Sequence, residues 1–389
     1  MASHPQQSTD GFALRLGLFY AAYFLFGGIQ LPFFPLWLES RGFDPRAIGI
    51  IIAVPTIVRI FFTPVIAHQA DRHRALKAVL VICSCVGAVM MTCVGLAEGF
   101  IALLLVFTVA AIAFSPVLSL TDAYALNGLA ARGRAYGPVR LWGSVAFIAG
   151  NVGAGFLLDA IMPGHLIWLI VAALTATTLA AIALVPLDAP PPLPGTTRAP
   201  ACDFLRKPAF LAVVAAAALV QSSHALYYGF STLDWRAAGI DGRTIGVLWG
   251  LGVLAEIVLF AFAARLPPSL APATLMAIGA AGAIIRWTAM AFDPPLAFLP
   301  ALQLLHAASF GATHLGALAF MARAVPKEYA ATAQGTVATV SGIVSATATG
   351  VSGLIYSASG SLAYLVMAGM ALAGLACALF AGRDSAAKS

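Results

Sequence analysis

Charge is scarce in this sequence: only 9% of its 389 residues are Asp, Glu, Lys or Arg, against about a quarter in an ordinary soluble domain. That excludes a water-facing domain of any size. The five cysteines, Cys83, Cys85, Cys93, Cys202 and Cys377, are odd in number. Four of them lie in apolar segments without metal-ligand spacing, so neither a disulfide framework nor a metal centre is expected. There is no His-Glu-x-x-His and no histidine cluster, and Gly229-Phe-Ser231 is too short a pattern for a serine protease, which leaves an intramembrane enzyme without its chemistry. Met1 to Gly11 holds no basic cluster, and the apolar segment after it is too long for a cleavable signal, so it is expected to stay as a first helix.

Apolar residues are what the chain has, at 61%. Stretches of about twenty of them, enough to cross a hydrocarbon core of about 30 Å, recur almost without pause. They predict twelve spans: 13–38, 46–68, 77–97, 100–127, 138–160, 165–186, 208–233, 243–264, 271–292, 295–320, 328–355 and 362–381. Pro32, Pro35, Pro55, Pro64 and Pro116 are read as kinks, and the glycines of the fifth and eleventh spans as close helix packing. The net charge of +6 could point to nucleic acid, but its distribution decides otherwise. With the N-terminus in the cytoplasm, 14 of the Lys and Arg residues fall in inner loops and tails, and only Arg41, Arg46, Arg236 and Arg243 fall outside. That is the positive-inside bias of an inner (plasma) membrane protein with both termini cytoplasmic, and no nucleic-acid partner is implied.

The longest polar, proline-rich break divides six spans from six, giving residues 1–187, a cytoplasmic loop 188–207, and residues 208–389. The halves echo each other. Gly42, Asp44, Arg46, Ile48 and Gly49 recur as Gly239, Asp241, Arg243, Ile245 and Gly246, each 197 residues on, and Gly137 and Gly155 recur as Gly335 and Gly353 at an offset of 198. Six spans separate equivalent points, so the repeats share one orientation, which suits alternating access and argues against a channel. The loop after the second span reads Ala67, His68, Gln69, Ala70, Asp71, Arg72, His73, Arg74. It is similar to the cytoplasmic signature of the major facilitator superfamily, with Ala67 and Arg74 in place of two glycines. The resemblance implies an all-α integral membrane fold of twelve helices in two parallel-related six-helix bundles. Asp71 and Arg72 are the candidate cytoplasmic gate, since an aspartate can latch onto helix N-terminal amides; a plain topogenic basic loop is the alternative.

A charge at the bilayer centre costs about 2.5 to 3.5 kcal/mol even on gentle scales, so intramembrane charges are functional candidates. Asp122 and Arg140 lie at equal depth on the fourth and fifth spans and are expected to pair. Glu256, Arg286 and His306 lie near the middle of the eighth, ninth and tenth, with Gln303 on the polar stripe of the tenth. This set resembles the oligosaccharide–proton symporter and phenylpropionate permease branches of the superfamily: an acid 18 residues before an arginine (Asp122, Arg140), and an arginine 20 before a histidine (Arg286, His306). The resemblance implies substrate contacts at Asp122 and Arg140 and a part in proton coupling for Glu256, Arg286 and His306. Static ion pairing is the alternative. Gln303 and Ser309 replace a lysine and a glutamate of the family, so either Glu256 or His306 is the proton carrier.

Tyr20, Tyr23 and Gln30 share a face of the first span, Gln221, His224 and Tyr228 share one of the seventh, and Trp142 follows Arg140; each is read as substrate-lining or as plain packing. The expectation is a monomeric secondary transporter in membrane lipid. It needs no cofactor, is driven by the proton gradient, and carries a small-molecule substrate, with an aromatic or other small organic acid favoured. Sugar or nucleoside symport and drug/proton antiport remain open.

Overall fold

With no water to accept their hydrogen bonds, backbone groups inside a bilayer must pair within their own segment, and helices do this for sequences this apolar. The computed structural model describes residues 11–73, 75–187, 205–267, 270–326 and 329–386, and they are helical throughout, with short connections. Most of the central loop, Cys202, Arg74, Lys327 and the side chain of Asp71 lie outside what is described. The helices are α1 (Phe12–Ser40), α2 (Pro45–Arg72), α3 (Leu76–Leu96), α4 (Phe100–Ala130), α5 (Tyr136–Leu158), α6 (Pro163–Ala183), α7 (Pro208–Ala237), α8 (Gly242–Arg265), α9 (Pro272–Met290), α10 (Leu296–Ala324), α11 (Ala330–Ser359) and α12 (Tyr364–Ala386). By length and hydropathy alone α11 and α12 merge into one stretch of 52 residues. That is far more than a bilayer needs, and Gly360, at φ +56°, splits it. The twelve expected spans therefore stand. Large apolar side chains such as Leu14, Phe61, Ile82, Leu105 and Leu179 are 60–68% exposed, a surface suited to lipid rather than water.

Proline does not predict where the helices break. α1 runs on through Pro32 and Pro35, and α2 through Pro55 and Pro64. Only α4 is interrupted at such a site, between Phe114 and Val117, where Pro116 lacks an N–H to donate. α7 breaks without proline. There Ser223 donates to Val220 O at 2.7 Å, and His224 Nδ1 lies 3.2 and 3.1 Å from the carbonyls of Val220 and Gln221, so side chains take over the backbone acceptors. In α10, Ala307–Ala312 forms a π-helical turn directly after His306, a distortion that redirects side chains and often marks function.

The described residues form two compact units. One comprises the described parts of Met1–Gln30, Phe61–Gly150 and Ile167–Pro192; the other comprises those of Leu31–Ile60, Asn151–Leu166 and Leu193–Ser389. The second unit contains both copies of the five-residue echo, and each position of that echo has one physical role. Gly42 and Gly239 turn the chain at φ +84° and +81°, where a Cβ is strained. Asp44 accepts from Ala47 N at 2.8 Å and Asp241 from Thr244 N at 2.7 Å, each capping the helix that follows. The hydrogen bonds from Thr244 hold the Asp241 carboxyl below the usual carboxylate range. Arg46 donates to Ser357 at 3.0 Å and Arg243 to Asp159 at 3.3 Å. Ile48 and Ile245 are fully buried. A Cβ on Gly49 would lie 3.0 Å from the Cα of Gly353, and one on Gly246 would lie 2.4 Å from Asn151 O. Of the second echo, Gly155 and Gly353 are equally tight, against Gly242 O at 2.3 Å and Pro45 O at 2.4 Å, whereas Gly137 and Gly335 face open space. These contacts press α2 onto α11 and α5 onto α8 at backbone distance. Gly153, expected in the same role, faces open space.

Candidate functional site

The second unit gathers the charged residues of α8, α9 and α10 with the aromatic face of α7. Arg286 is completely buried, and its guanidinium reaches His306 Nδ1 at 3.0 Å and Gln303 Oε1 at 2.6 Å. Its faces are covered by Tyr227 and Trp287, with centroids 4.4 and 4.7 Å away, so cation–π contact replaces hydration. Tyr227 also donates to Gln303 Oε1 at 2.9 Å. On the other side of the ring, His306 Nε2 lies 3.6 Å from Glu256 Oε2. A guanidinium can only donate, so Nδ1 of His306 must accept and its ring proton belongs on Nε2, facing Glu256.

His224 extends this cluster. Its Nε2 lies 3.0 Å from Ser309 Oγ, and its ring packs against Trp287, His306 and Tyr228 at 4.9, 5.4 and 5.7 Å. Carbonyls take its Nδ1, which must therefore carry the proton. Gln221 donates to Phe310 O at 3.4 Å, and its Oε1 is buried without a partner. The structure thus brings Glu256, Arg286, His306, Gln303, His224, Tyr228 and Gln221 together in one contiguous cluster. Tyr227, Trp287 and Ser309 complete it. Tyr227 stands three residues after His224, a helical spacing that shows it on the same face; Trp287 follows Arg286 directly and carries no periodic signal.

The first unit holds a second cluster, and it corrects the expected pairing of Asp122 with Arg140. Asp122 Oδ1 accepts from Tyr20 at 2.6 Å and from Tyr136 at 2.9 Å. Arg140 makes no ion pair or hydrogen bond among the described residues. Its guanidinium lies instead over Phe24 at 4.0 Å and Tyr20 at 5.5 Å. The two tyrosines satisfy the carboxylate with short neutral donors already at hand, which leaves the arginine uncommitted. Tyr136 stands four residues before Arg140, one turn along the same face, a cue present in the spacing.

The remaining sequence candidates are placed separately. Tyr23 stacks on Phe114 at 5.2 Å beside Phe24. Gln30 is half-buried on α1. Trp142, about 200° round α5 from Arg140, is 61% exposed and lies against Gly17, so the structure does not bring it to the arginine. Arg72 is exposed at the end of α2. No group of three metal-ligating side chains occurs among the described residues.

The sequence matches the MFS_1 like family over residues 13–366. It is 33% identical over 319 residues to the "Probable 3-phenylpropionic acid transporter" of Escherichia coli (strain K12), covering 79% of this chain and 81% of that one. It is 29% identical over 322 residues to the maltose permease of Geobacillus stearothermophilus, covering 81% and 80%. The fold superposes on the crystal structure of the nucleoside transporter NupG with a TM-score of 0.79 at 16% identity, over 95% of this chain and 98% of that one. Twelve apolar helices, charges buried between them and a match of this length have one common explanation: the chain belongs to the MFS_1 like family and is a multi-pass membrane transporter of the major facilitator type, not an enzyme.

Proposed function

We propose that the chain is a proton symporter for an aromatic or other small organic acid, with Arg140 receiving the carboxylate. The observation that carries this reading is the state of Arg140, whose guanidinium has no hydrogen bond or ion pair among the described residues and rests on the rings of Phe24 and Tyr20. A planar fork of donors matches a carboxylate, and the adjoining rings offer a stacking surface for an aromatic body. Arg286 offers no such opening, because both of its terminal nitrogens are engaged with His306 and Gln303 and the residue is fully buried. The relative described as a 3-phenylpropionic acid transporter supports the same class of cargo.

In this reading Glu256 carries the coupling proton. A charged His306 would turn an N–H against Arg286, whereas the neutral ring donates toward Glu256, whose carboxyl is the group that loads and unloads the proton. The proton gradient replaces a cofactor as energy source. The protein works as a monomer in the inner membrane with both termini cytoplasmic, its halves 1–187 and 208–389 joined by 188–207 and acting by alternating access.

Counterflow in proteoliposomes tests the proposal, with 3-phenylpropionate, maltose and a nucleoside as probes, with and without a pH gradient. The expected result is exchange of 3-phenylpropionate, its accumulation with an inward proton gradient, and a loss of at least about tenfold in Arg140→Gln. Exchange of maltose or the nucleoside instead would assign the same groups to hydroxyl recognition, the class that the maltose permease likeness favours.

A further inference from the structure

Asp234 belongs to neither cluster, yet among the described residues it is the only acid with a buried side-chain oxygen that lacks a hydrogen-bond partner. It stands near the α7–α8 end of the second unit. Its Oδ1 accepts a short hydrogen bond from Tyr356 of α11, which is held in place by stacking on Phe230, one turn earlier on α7, at 4.7 Å. Its Oδ2 is buried and has no hydrogen-bond partner among the described residues, while the residue as a whole is only partly buried. Tyr364 of α12 is completely buried, with no hydrogen-bond partner for its hydroxyl among the described residues, and Asp234, Tyr356, Tyr227 and Arg286 all act on it electrostatically. Its ring stacks on Trp287 at 5.8 Å.

The charges around Asp234 are of the wrong sign for a counterion. Asp293, from the α9–α10 connection, is the acid that acts on it, and Glu39 of α1 acts on its partner Tyr356. Asp293 itself accepts from Ser361 at 2.9 Å. The nearest base along α7, Arg236, points to Asp159 at 3.7 Å. A buried carboxylate with one oxygen unsatisfied and only acids about it is a poor resting state for a negative charge. One proton on Oδ2 removes the charge and supplies a donor to an otherwise orphaned region.

We propose that Asp234 is a second proton-binding site, distinct from Glu256 and His306, loaded from the solution at the α7–α8 end of the second unit. In the step itself a hydronium ion gives its proton to Oδ2 and leaves as water, while the Tyr356 hydrogen bond to Oδ1 is retained. Its place in transport, as the station that precedes Glu256, rests on the proton-symport reading above; the site itself does not.

Infrared difference spectroscopy of the full chain in vesicles, as pH is stepped, tests the site. The expected result is a titrating protonated-carboxyl C=O band that is lost in Asp234→Asn, kept in Glu256→Gln, and shifted in frequency in Tyr356→Phe, which keeps the ring and removes the donor. An unchanged spectrum in both Asp234→Asn and Tyr356→Phe would overturn the proposal. So would a band that responds to sodium at fixed pH instead of to protons, which would make the ligand a metal cation. Gradient-driven uptake of 3-phenylpropionate in the same vesicles reports separately. Its absence in the unmutated protein removes the symport reading and leaves the infrared result to stand or fall alone.

Discussion

At Arg286 and Arg140 the same side chain is used in opposite ways. Arg286 is fully buried and has two of its nitrogens engaged, so it acts as a fixed charge that sets the tautomer of His306. Arg140 keeps its donors unspent over aromatic rings. Sequence position shows that both are intramembrane charges, but not which one is spent, because that depends on whether a neutral donor such as Tyr20 or Tyr136 reaches the acid first. The proton role is testable at the residue next to the histidine. Glu256→Gln keeps the shape and removes the titrating group, and the expected outcome is loss of gradient-driven accumulation with counterflow retained. Uphill uptake by this variant at the unmutated level would transfer the proton to His306 or elsewhere.

Among the elements, the ends of α5 and α8 show how a sequence echo becomes a joint. Asp159, just past α5, accepts from the backbone N–H groups of Gly242 and Arg243 at 2.7 and 3.1 Å, so a carboxylate sits on the N-terminus of α8 where the helix dipole favours it. Its contacts to the partly exposed Arg243 and Arg236 side chains add little. The equivalent joint between α2 and α11 has Ser357 at the place of Asp159 and is neutral. The joint to α8 is therefore the stronger one. Asp159→Ala should lower thermal stability in detergent by about 1 to 2 kcal/mol and Ser357→Ala by about half as much or less. Equal losses in a melting experiment would refute the asymmetry. The element boundaries were largely legible, since length and hydropathy mark where each helix enters and leaves lipid. The internal breaks were not: the interruption of α7 arises from Ser223 and His224 bonding to nearby carbonyls, and the π turn of α10 has no local sequence mark.

For the whole molecule, the expected cytoplasmic gate remains to be tested by function, because its key side chain, Asp71, lies outside the described residues. Asp71→Asn should slow net transport severalfold at unchanged expression if the carboxylate latches helix N-terminal amides. Unchanged kinetics would leave the loop a topogenic one. The sequence by itself determined the twelve helices, the membrane as their solvent, the family and the inventory of intramembrane charges, because the hydrophobic cost of each segment is a property of composition along the chain. It also carried the five-residue repeat, whose glycines, aspartates and arginines do the same local work in both copies. Only the tertiary structure decided the partners: Asp122 with two tyrosines and not with Arg140, Arg286 with Gln303 and His306, Trp142 away from the arginine it follows, and Asp234 with one oxygen left unsatisfied. Hydrogen bonds act over about 3 Å, and which donor comes that close is settled by helix packing, which composition and spacing leave open.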